Sequence, residues 1–500
     1  MKIDNKSLLF IGLGVFAFLI LWGLYTLQYT PVPWVDEVYF ASVTQSLTEG
    51  SGLTLPIGLN ENVYHYGPVY FLLTGLSVLI GGLNPISIRF VGFVFSIVSA
   101  ILFYMIIKEK GVGMRISLVI TLLLSFDQLF VYCSHIGRME TLALSFYLLG
   151  LLYFEKARNI ISIKYIVIIA ICLLLSFLTT SRTAVLILPI GIAMFIRLCK
   201  DKEWLLLASF IFIPVIGFVL WLFISYGSFE AFVNYYTTVD SGYADGNLID
   251  RFIGGSFIIS KTHYPLVLLT ICVIIHGIKS HYFKDINLYL FTIILFYLVV
   301  HSSSDTYSII ILPLYYLIIG VGLFKVWKQR SANKIWSISF SVLIVLIGLI
   351  NVAIFTAKWA LIESSVEYRD KSIVDGWISN NIPAGSIVLG SDSYYYSFTN
   401  AHCEFKSLTQ VYKNDEQFCR FMNEVYQPEF VMYNSNEASP DAIKAFKLLN
   451  LKPVSHYSPE PITNWLDTFV KMLGLQNKNS YEGDLYKVVY FDQNNNNILK

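Results

Sequence analysis

Leu8–Leu27 reads LLFIGLGVFAFLILWGLYTL, twenty residues without a charge. An α-helix needs about 20 such residues to cross a bilayer. A cleaved signal peptide fits poorly, because the run is long, has no small-x-small cleavage site and opens a series of similar runs. Those follow at 86–107, 115–132, 139–155, 163–179, 183–198, 204–226, 264–280, 287–301, 307–326 and 335–356. Inside hydrocarbon each backbone amide must be bonded within its own element, so all eleven are predicted as helices. Val69–Ile80 is apolar but short, with Gly67-Pro68 before it and Gly81-Gly82 after it. It reads as a juxtamembrane or re-entrant helix.

Composition agrees. The 500 residues are 55% hydrophobic and 14% charged, with a mean hydropathy of +0.61. Soluble domains carry roughly 25% charge, so this much apolar surface excludes a purely soluble protein. Six cysteines exclude a disulfide scaffold. The net charge of +1 gives no reason to expect nucleic-acid binding.

The loop charges alternate. Of the 22 Lys and Arg in residues 1–334, 17 fall in alternate loops that hold Lys2, Lys6, Lys108, Lys110, Arg115, Lys156, Arg158 and their later equivalents. The positive-inside rule then predicts a cytoplasmic N-terminus in the inner or plasma membrane and eleven spans. The five exceptions are Arg89, Arg138, Arg182, Arg251 and Lys261. Residues 1–356 form the transmembrane domain, with outer loops at about 28–85 and about 225–264. Residues 357–500 hold 13 of the 35 basic and 17 of the 34 acidic residues. They read as a small α/β extracytoplasmic domain with strands at 386–391, 429–433 and 485–491 and helices at 363–380 and 441–449. Cys403 and Cys419 pair only if the outside is oxidising, which sequence alone does not decide.

The first outer loop carries the main chemical signal: Trp34-Val35-Asp36-Glu37-Val38-Tyr39-Phe40-Ala41, then Tyr64-His65-Tyr66-Gly67-Pro68. Aromatic rings suit the membrane interface. The acidic pair admits two readings. It can simply offset a helix dipole behind Pro33, or it can do chemistry.

In order along the chain, the acidic pair, Tyr64–Gly75, the Arg of Ser87-Ile88-Arg89, Gly137-Arg138-Met139-Glu140 and Tyr307–Pro313 resemble the motif order of the GT-C membrane glycosyltransferases. The nearest groups look like the protein O-mannosyltransferases and the aminoarabinose transferases. One motif departs from the pattern: where the family shows a Thr-Lys-Gly-like turn, this chain has Thr179-Thr180-Ser181-Arg182-Thr183. The resemblance implies a polytopic GT-C-like fold and an outward-facing enzyme. It would move a hexose or pentose from a polyprenyl-phosphate donor to a hydroxyl on a lipid, glycan or protein acceptor, with inversion.

On that resemblance Asp36 is the expected general base and Glu37 its neighbour, for acceptor positioning or a metal. Arg138, Arg89, Arg182, His65, Arg251 and Lys261 are expected on the donor phosphate, where arginine's fork matches two oxygens. Snorkelling, solvation or pairing with Glu140 or Asp127 are the structural readings of the same cations. Trp34, Tyr39, Tyr64, Tyr66, Glu140 and Tyr307 are expected to contact acceptor or sugar. A divalent metal is compatible with the family, but His135, His263 and His301 show no ligand spacing. Asp127, inside a span, reads as structural with Arg138 as its partner. The alternative readings are a transporter or flippase, which usually places ionisable groups deep in several helices whereas the charges here lie almost entirely at helix ends, and an O-antigen ligase or polymerase, whose large catalytic loop typically comes late in the chain whereas this acidic pair follows span one.

Overall fold

The computed structural model describes residues 5–63, 66–239, 261–300, 305–328, 334–435, 439–458, 481 and 483–489. It begins with α1 (Asn5–Thr26), whose 22 residues reach about 33 Å at 1.5 Å per residue. Two shorter helices follow at the far end of α1: α2 (Val35–Thr48) and α3 (Pro68–Gly81). At 14 residues α3 spans only about 21 Å, too short to cross, as its sequence implied.

The bundle continues with α4 (Pro85–Glu109), α5 (Met114–Ser125), α6 (Gln128–Ser134), α7 (Glu140–Ala157), α8 (Ile163–Phe177), α9 (Ala184–Lys200) and α10 (Trp204–Tyr226). After α11 (Phe229–Val239) come α12 (Tyr264–Lys279), α13 (Asn287–Val299), α14 (Leu312–Lys328) and α15 (Lys334–Glu363). Each of the eleven apolar runs thus coincides with helical structure. By length and hydropathy alone five helices qualify as spans among the described residues, or six if the bent pair α5–α6 counts as one. This is a helical integral membrane protein. Its core lies around α7 and α14, which are buried on nearly all faces; α7 packs between α4 and α8.

The expected single span at 115–132 is broken. α5 stops at Ser125 and α6 leaves at a 61° bend. The cause is Asp127, whose carboxylate accepts the Leu129 amide at 2.9 Å and so caps a new helix. The expected Arg138 partner is also corrected: Asp127 instead accepts from His263 Nε2 at 3.1 Å and Tyr316 Oη at 2.9 Å. A fully buried carboxylate needs several donors at once, and those two side chains supply them.

α15 runs to Glu363, past the expected boundary at 356. Beyond it lies a five-stranded sheet in the order β2-β1-β3-β5-β4. β1 (Ile387–Gly390) pairs in parallel with β2 (Glu404–Ser407) and with β3 (Phe430–Tyr433). β5 (Gly483–Val488) runs antiparallel to β3 and to β4 (Leu451–Tyr457). β2 and β4 were not read from the sequence: EFKS is short and polar, and β4 contains Pro453. Cys403 and Cys419 are both free thiols.

This sheet domain is packed onto α2 and α3. Phe40, Tyr70 and Phe71 share one core with Tyr394, Tyr395, Tyr396, Phe398 and Phe405. The Ser407 amide donates to the Ile57 carbonyl at 2.9 Å, and the buried Lys406 ammonium donates to the Pro56 carbonyl. The Tyr395 hydroxyl donates to Gln45 on α2 at 2.6 Å. The domain therefore fixes α2 from above, and α2 carries the acidic pair.

Candidate active site

Asp36 and Glu37 occupy the first turn of α2, where the helix dipole favours anions. Successive residues on a helix diverge by roughly 100°, so the two carboxylates face different surroundings. Glu37 turns inward. It is fully buried, as is Arg89 on α4, and the two form a fork. Arg89 Nε reaches both Glu37 oxygens at 3.0 Å, and Nη2 reaches Oε1 at 2.9 Å. The same guanidinium also ties down the chain between α1 and α2, with Nη1 donating to the Leu27 carbonyl at 2.8 Å and Nη2 to the Pro31 carbonyl at 2.6 Å.

The Gly137 amide adds a 3.3 Å bond to Glu37 Oε2. A β-carbon at Gly137 would lie 2.4 Å from Ile88 and 3.0 Å from Glu37, so only glycine permits this approach. Burial raises the Glu37 carboxyl above the ordinary carboxylate range, opposed by Arg89 and the Gly137 amide.

Asp36 turns the other way. Its side chain is 38% exposed and pairs with Arg138 Nη1, on the tight turn between α6 and α7. Arg138 is itself 2% exposed. Its Nε donates to both oxygens of Glu140 at 3.1 Å, and Nη2 donates to Oε1 at 2.7 Å. Glu140 opens α7, again an anion at a helix N-terminus. Arg138 also lies against the rings of Trp34, Phe40 and Tyr307, at 5.6, 5.8 and 5.0 Å.

Beside this cluster, on a 3-10 turn ahead of α9, the Arg182 guanidinium stacks on the Tyr307 ring at 3.9 Å. Among the described residues no carboxylate lies within ion-pair distance of Arg182. Tyr66 completes the wall, 5.0 Å from the Phe40 ring and 6.0 Å from the Tyr39 ring. Burial pushes its phenol above the ordinary range, with Arg182, Tyr307, Asp36 and Arg138 as its charged or phenolic neighbours.

Of the expected site residues, Trp34, Asp36, Tyr39, Tyr66, Arg138, Glu140, Arg182 and Tyr307 are thus gathered at one end of the bundle. Glu37 and Arg89 stand next to them but hold each other, so the expected availability of Arg89 to a phosphate is not met. Tyr64, His65, Arg251, His301 and the side chain of Lys261 lie outside the described residues. Gly137's role as an amide donor was missed, although its place in the Gly-Arg turn was a usable signal. Among the described residues no three His, Cys, Asp or Glu side chains are grouped to hold a metal.

This geometry can be set beside known proteins. Residues 65–221, from α3 into α10, match the family model of the dolichyl-phosphate-mannose-protein mannosyltransferases. The fold matches ArnT from Cupriavidus metallidurans, solved in the apo state with 11% identity, a TM-score of 0.58 and coverage of 96% of this chain and 98% of that one. The form of ArnT bound to undecaprenyl phosphate matches at 12% identity and a TM-score of 0.60, covering 97% and 98%. The oligosaccharyltransferase of Archaeoglobus fulgidus matches at 12% identity and a TM-score of 0.48, covering 91% and 74%. A search of curated proteins finds no match. The resemblance to the GT-C membrane glycosyltransferases therefore holds, in the fold of nearly the whole chain and in the matched segment.

Proposed function

We propose that the protein transfers a sugar from a polyprenyl-phosphate carrier to a hydroxyl acceptor at the outer face of the membrane, with Asp36 as general base. One observation carries this reading. Asp36 is the partly exposed carboxylate of an otherwise buried charge cluster, and Arg182, stacked on Tyr307, stands beside it with no carboxylate at ion-pair distance among the described residues. Undecaprenyl phosphate bound to the similarly folded ArnT supports the carrier class.

In the proposed step the acceptor hydroxyl gives its proton to Asp36 while its oxygen bonds to the anomeric carbon. The bond from that carbon to the phosphate oxygen breaks, and the electron pair leaves with the lipid phosphate. Arg182 and the Tyr307 hydroxyl would meet the developing charge, a role suited to fixed donors in a dry site. Arg138 is largely engaged by Glu140 and Asp36, so its part is to hold the base rather than the leaving group. Attack opposite the phosphate inverts the anomeric centre. Lipid, glycan and protein hydroxyls are the acceptor classes to offer in the assay.

The test supplies purified protein with a panel of polyprenyl-phosphate sugars and measures release of the free lipid phosphate. Consumption of one donor that depends on Asp36 is the expected result. Sugar-independent movement of a substrate across proteoliposomes, with no donor consumed, would replace this reading with transport.

A further inference from the structure

Away from Asp36, one cavity gathers hydrogen-bond donors on a wall without a carboxylate. It opens where the ends of α1 and α15 meet α6, and it encloses about 510 Å³ including its mouth. Thr30 and Pro31, which lead into α2, line it, so it sits at the same end of the bundle as the candidate active site. Trp22, Tyr132, His135, Lys358 and Arg369 supply its polar surface, and Leu361 and Ile362 part of its apolar surface.

Two of these donors, on Trp22 and Lys358, are poorly answered among the described residues. Trp22 Nε1 is buried with no hydrogen-bond partner among the described residues. Lys358 lies 5.9 Å from the Tyr132 ring and forms no salt bridge among the described residues. The nearby Asp127 is already taken by His263, Tyr316 and the Leu129 amide. Arg369, 1% exposed, is held in place, donating among its contacts to Ser365 Oγ at 2.6 Å and the Tyr29 carbonyl at 3.4 Å. The His135 ring is occupied by Thr26, Ser134 and the Val131 carbonyl. An unanswered buried N–H and an unpaired cation are both costly, and a single anion relieves both.

The surroundings say what kind of anion. Below the cavity the rings of Phe18, Trp22, Phe355 and Trp359 form a continuous seam between α1 and α15, with Trp22–Phe355 centroids at 4.4 Å and Phe18–Trp359 at 5.7 Å. The outer surfaces of these helices are apolar, with Leu21, Leu24, Val352 and Phe18 all exposed. Cations and tryptophans at the end of an apolar helix pair mark headgroup depth.

We propose that this cavity seats the phosphate of an anionic membrane lipid, held by Lys358 and the Trp22 N–H, with the lipid chains along the Phe18–Phe355–Trp359 seam. The site is separate from the Asp36 centre and does not depend on the function proposed for it.

Binding of dioleoyl phosphatidic acid to the purified full chain in detergent, read by native mass spectrometry, tests the site. Lys358→Met should weaken binding about tenfold or more, the loss of a charge-assisted contact. Lys358→Arg should retain most of it, and Trp22→Phe, which deletes the N–H but keeps a ring, should weaken it less. Dioleoylglycerol, with the same chains and no phosphate, should not distinguish the variants, and inorganic phosphate should not displace the lipid. Equal binding to wild type and Lys358→Met overturns the proposal, as does displacement by inorganic phosphate, which would make this a site for a soluble anion. If Lys358→Met fails to fold, Trp22→Phe decides: unchanged phosphatidic acid binding by that variant refutes the site.

Discussion

Replacing each acid of the Asp36–Glu37 pair by its amide should give opposite phenotypes. Glu37 is fully buried and answers Arg89 through three contacts of 2.9–3.0 Å. Glu37→Gln leaves the Arg89 charge buried without a counter-ion, a defect worth about 3–5 kcal/mol. The Leu27 and Pro31 carbonyls hang on the same guanidinium, so the entry to α2 loosens as well. Asp36→Asn preserves volume at a partly exposed position, so its effect on stability should stay within about 1 kcal/mol. Turnover should fall about 10²–10⁴-fold, the contribution of a general base.

Both variants are to be purified in detergent and compared by thermal unfolding midpoint and by release of lipid phosphate. Combining Glu37→Gln with Arg89→Gln removes both charges and should recover part of the lost stability, with a coupling of about 0.5–3 kcal/mol. Two results would refute the assignment of roles. One is Glu37→Gln unfolding at the wild-type midpoint with activity abolished. The other is Asp36→Asn turning over at the wild-type rate.

Arg182→Ala should raise the KM for the lipid donor or slow turnover at least tenfold, and Arg182→Lys should rescue it only in part because the stack on Tyr307 and the two-pronged contact are both lost; steady-state kinetics against donor concentration decide. Gly137→Ala puts a methyl 2.4 Å from Ile88 and should cost about 1–3 kcal/mol, seen as a lowered unfolding midpoint. Burial pushes the Lys406 ammonium down to about 8, below the ordinary lysine value. A group whose folded value is depressed in this direction penalises folding while protonated, so stability should rise with pH between about 8 and 10.5. Lys406→Met should flatten that rise in a pH series of unfolding midpoints.

Hydrophobic runs made the helices legible because each had to satisfy its own backbone amides, and that demand is written in local sequence. Asp127 shows where the reading failed. A single acid in an apolar run looks like a tolerated defect in one helix, yet the donors that pay for it, His263 and Tyr316, are more than a hundred positions away. The parallel strand β2 failed for a similar reason, since EFKS gains its strand partner from Ile387–Gly390 and its anchor from Pro56 and Ile57. At the candidate site the residue types were visible in sequence but their pairings were not. Sequence placed Arg89, Arg138 and Arg182 all on the donor phosphate, with Arg138 foremost, and only the fold separates the first two, which carry buried carboxylates, from the third.

Charge balance then gives that separation a chemical sense. Among the described residues the charges of Arg138 and Arg182 equal those of Asp36 and Glu140, so these four sum to zero, while Glu37 and Arg89 cancel within their own pair. On the proposed reaction a sugar phosphodiester enters with one negative charge and leaves as a phosphomonoester carrying two. Asp36 takes the acceptor's proton in the same step and loses one. The total charge of the pocket is therefore unchanged between donor-bound and product-bound states, although charge moves from Asp36 toward Arg182. A site with low dielectric stabilises such a shift only when the receiving cation is already in place and not held by another acid. Arg182 on Tyr307 meets that condition and Arg138, bonded to Glu140 throughout, does not. Exchanging Glu140 for Gln should consequently free Arg138 to compete for the phosphate and weaken its hold on the base, lowering turnover while tightening donor binding. A variant with weaker donor binding and unaltered turnover would show that Arg138 already serves the phosphate.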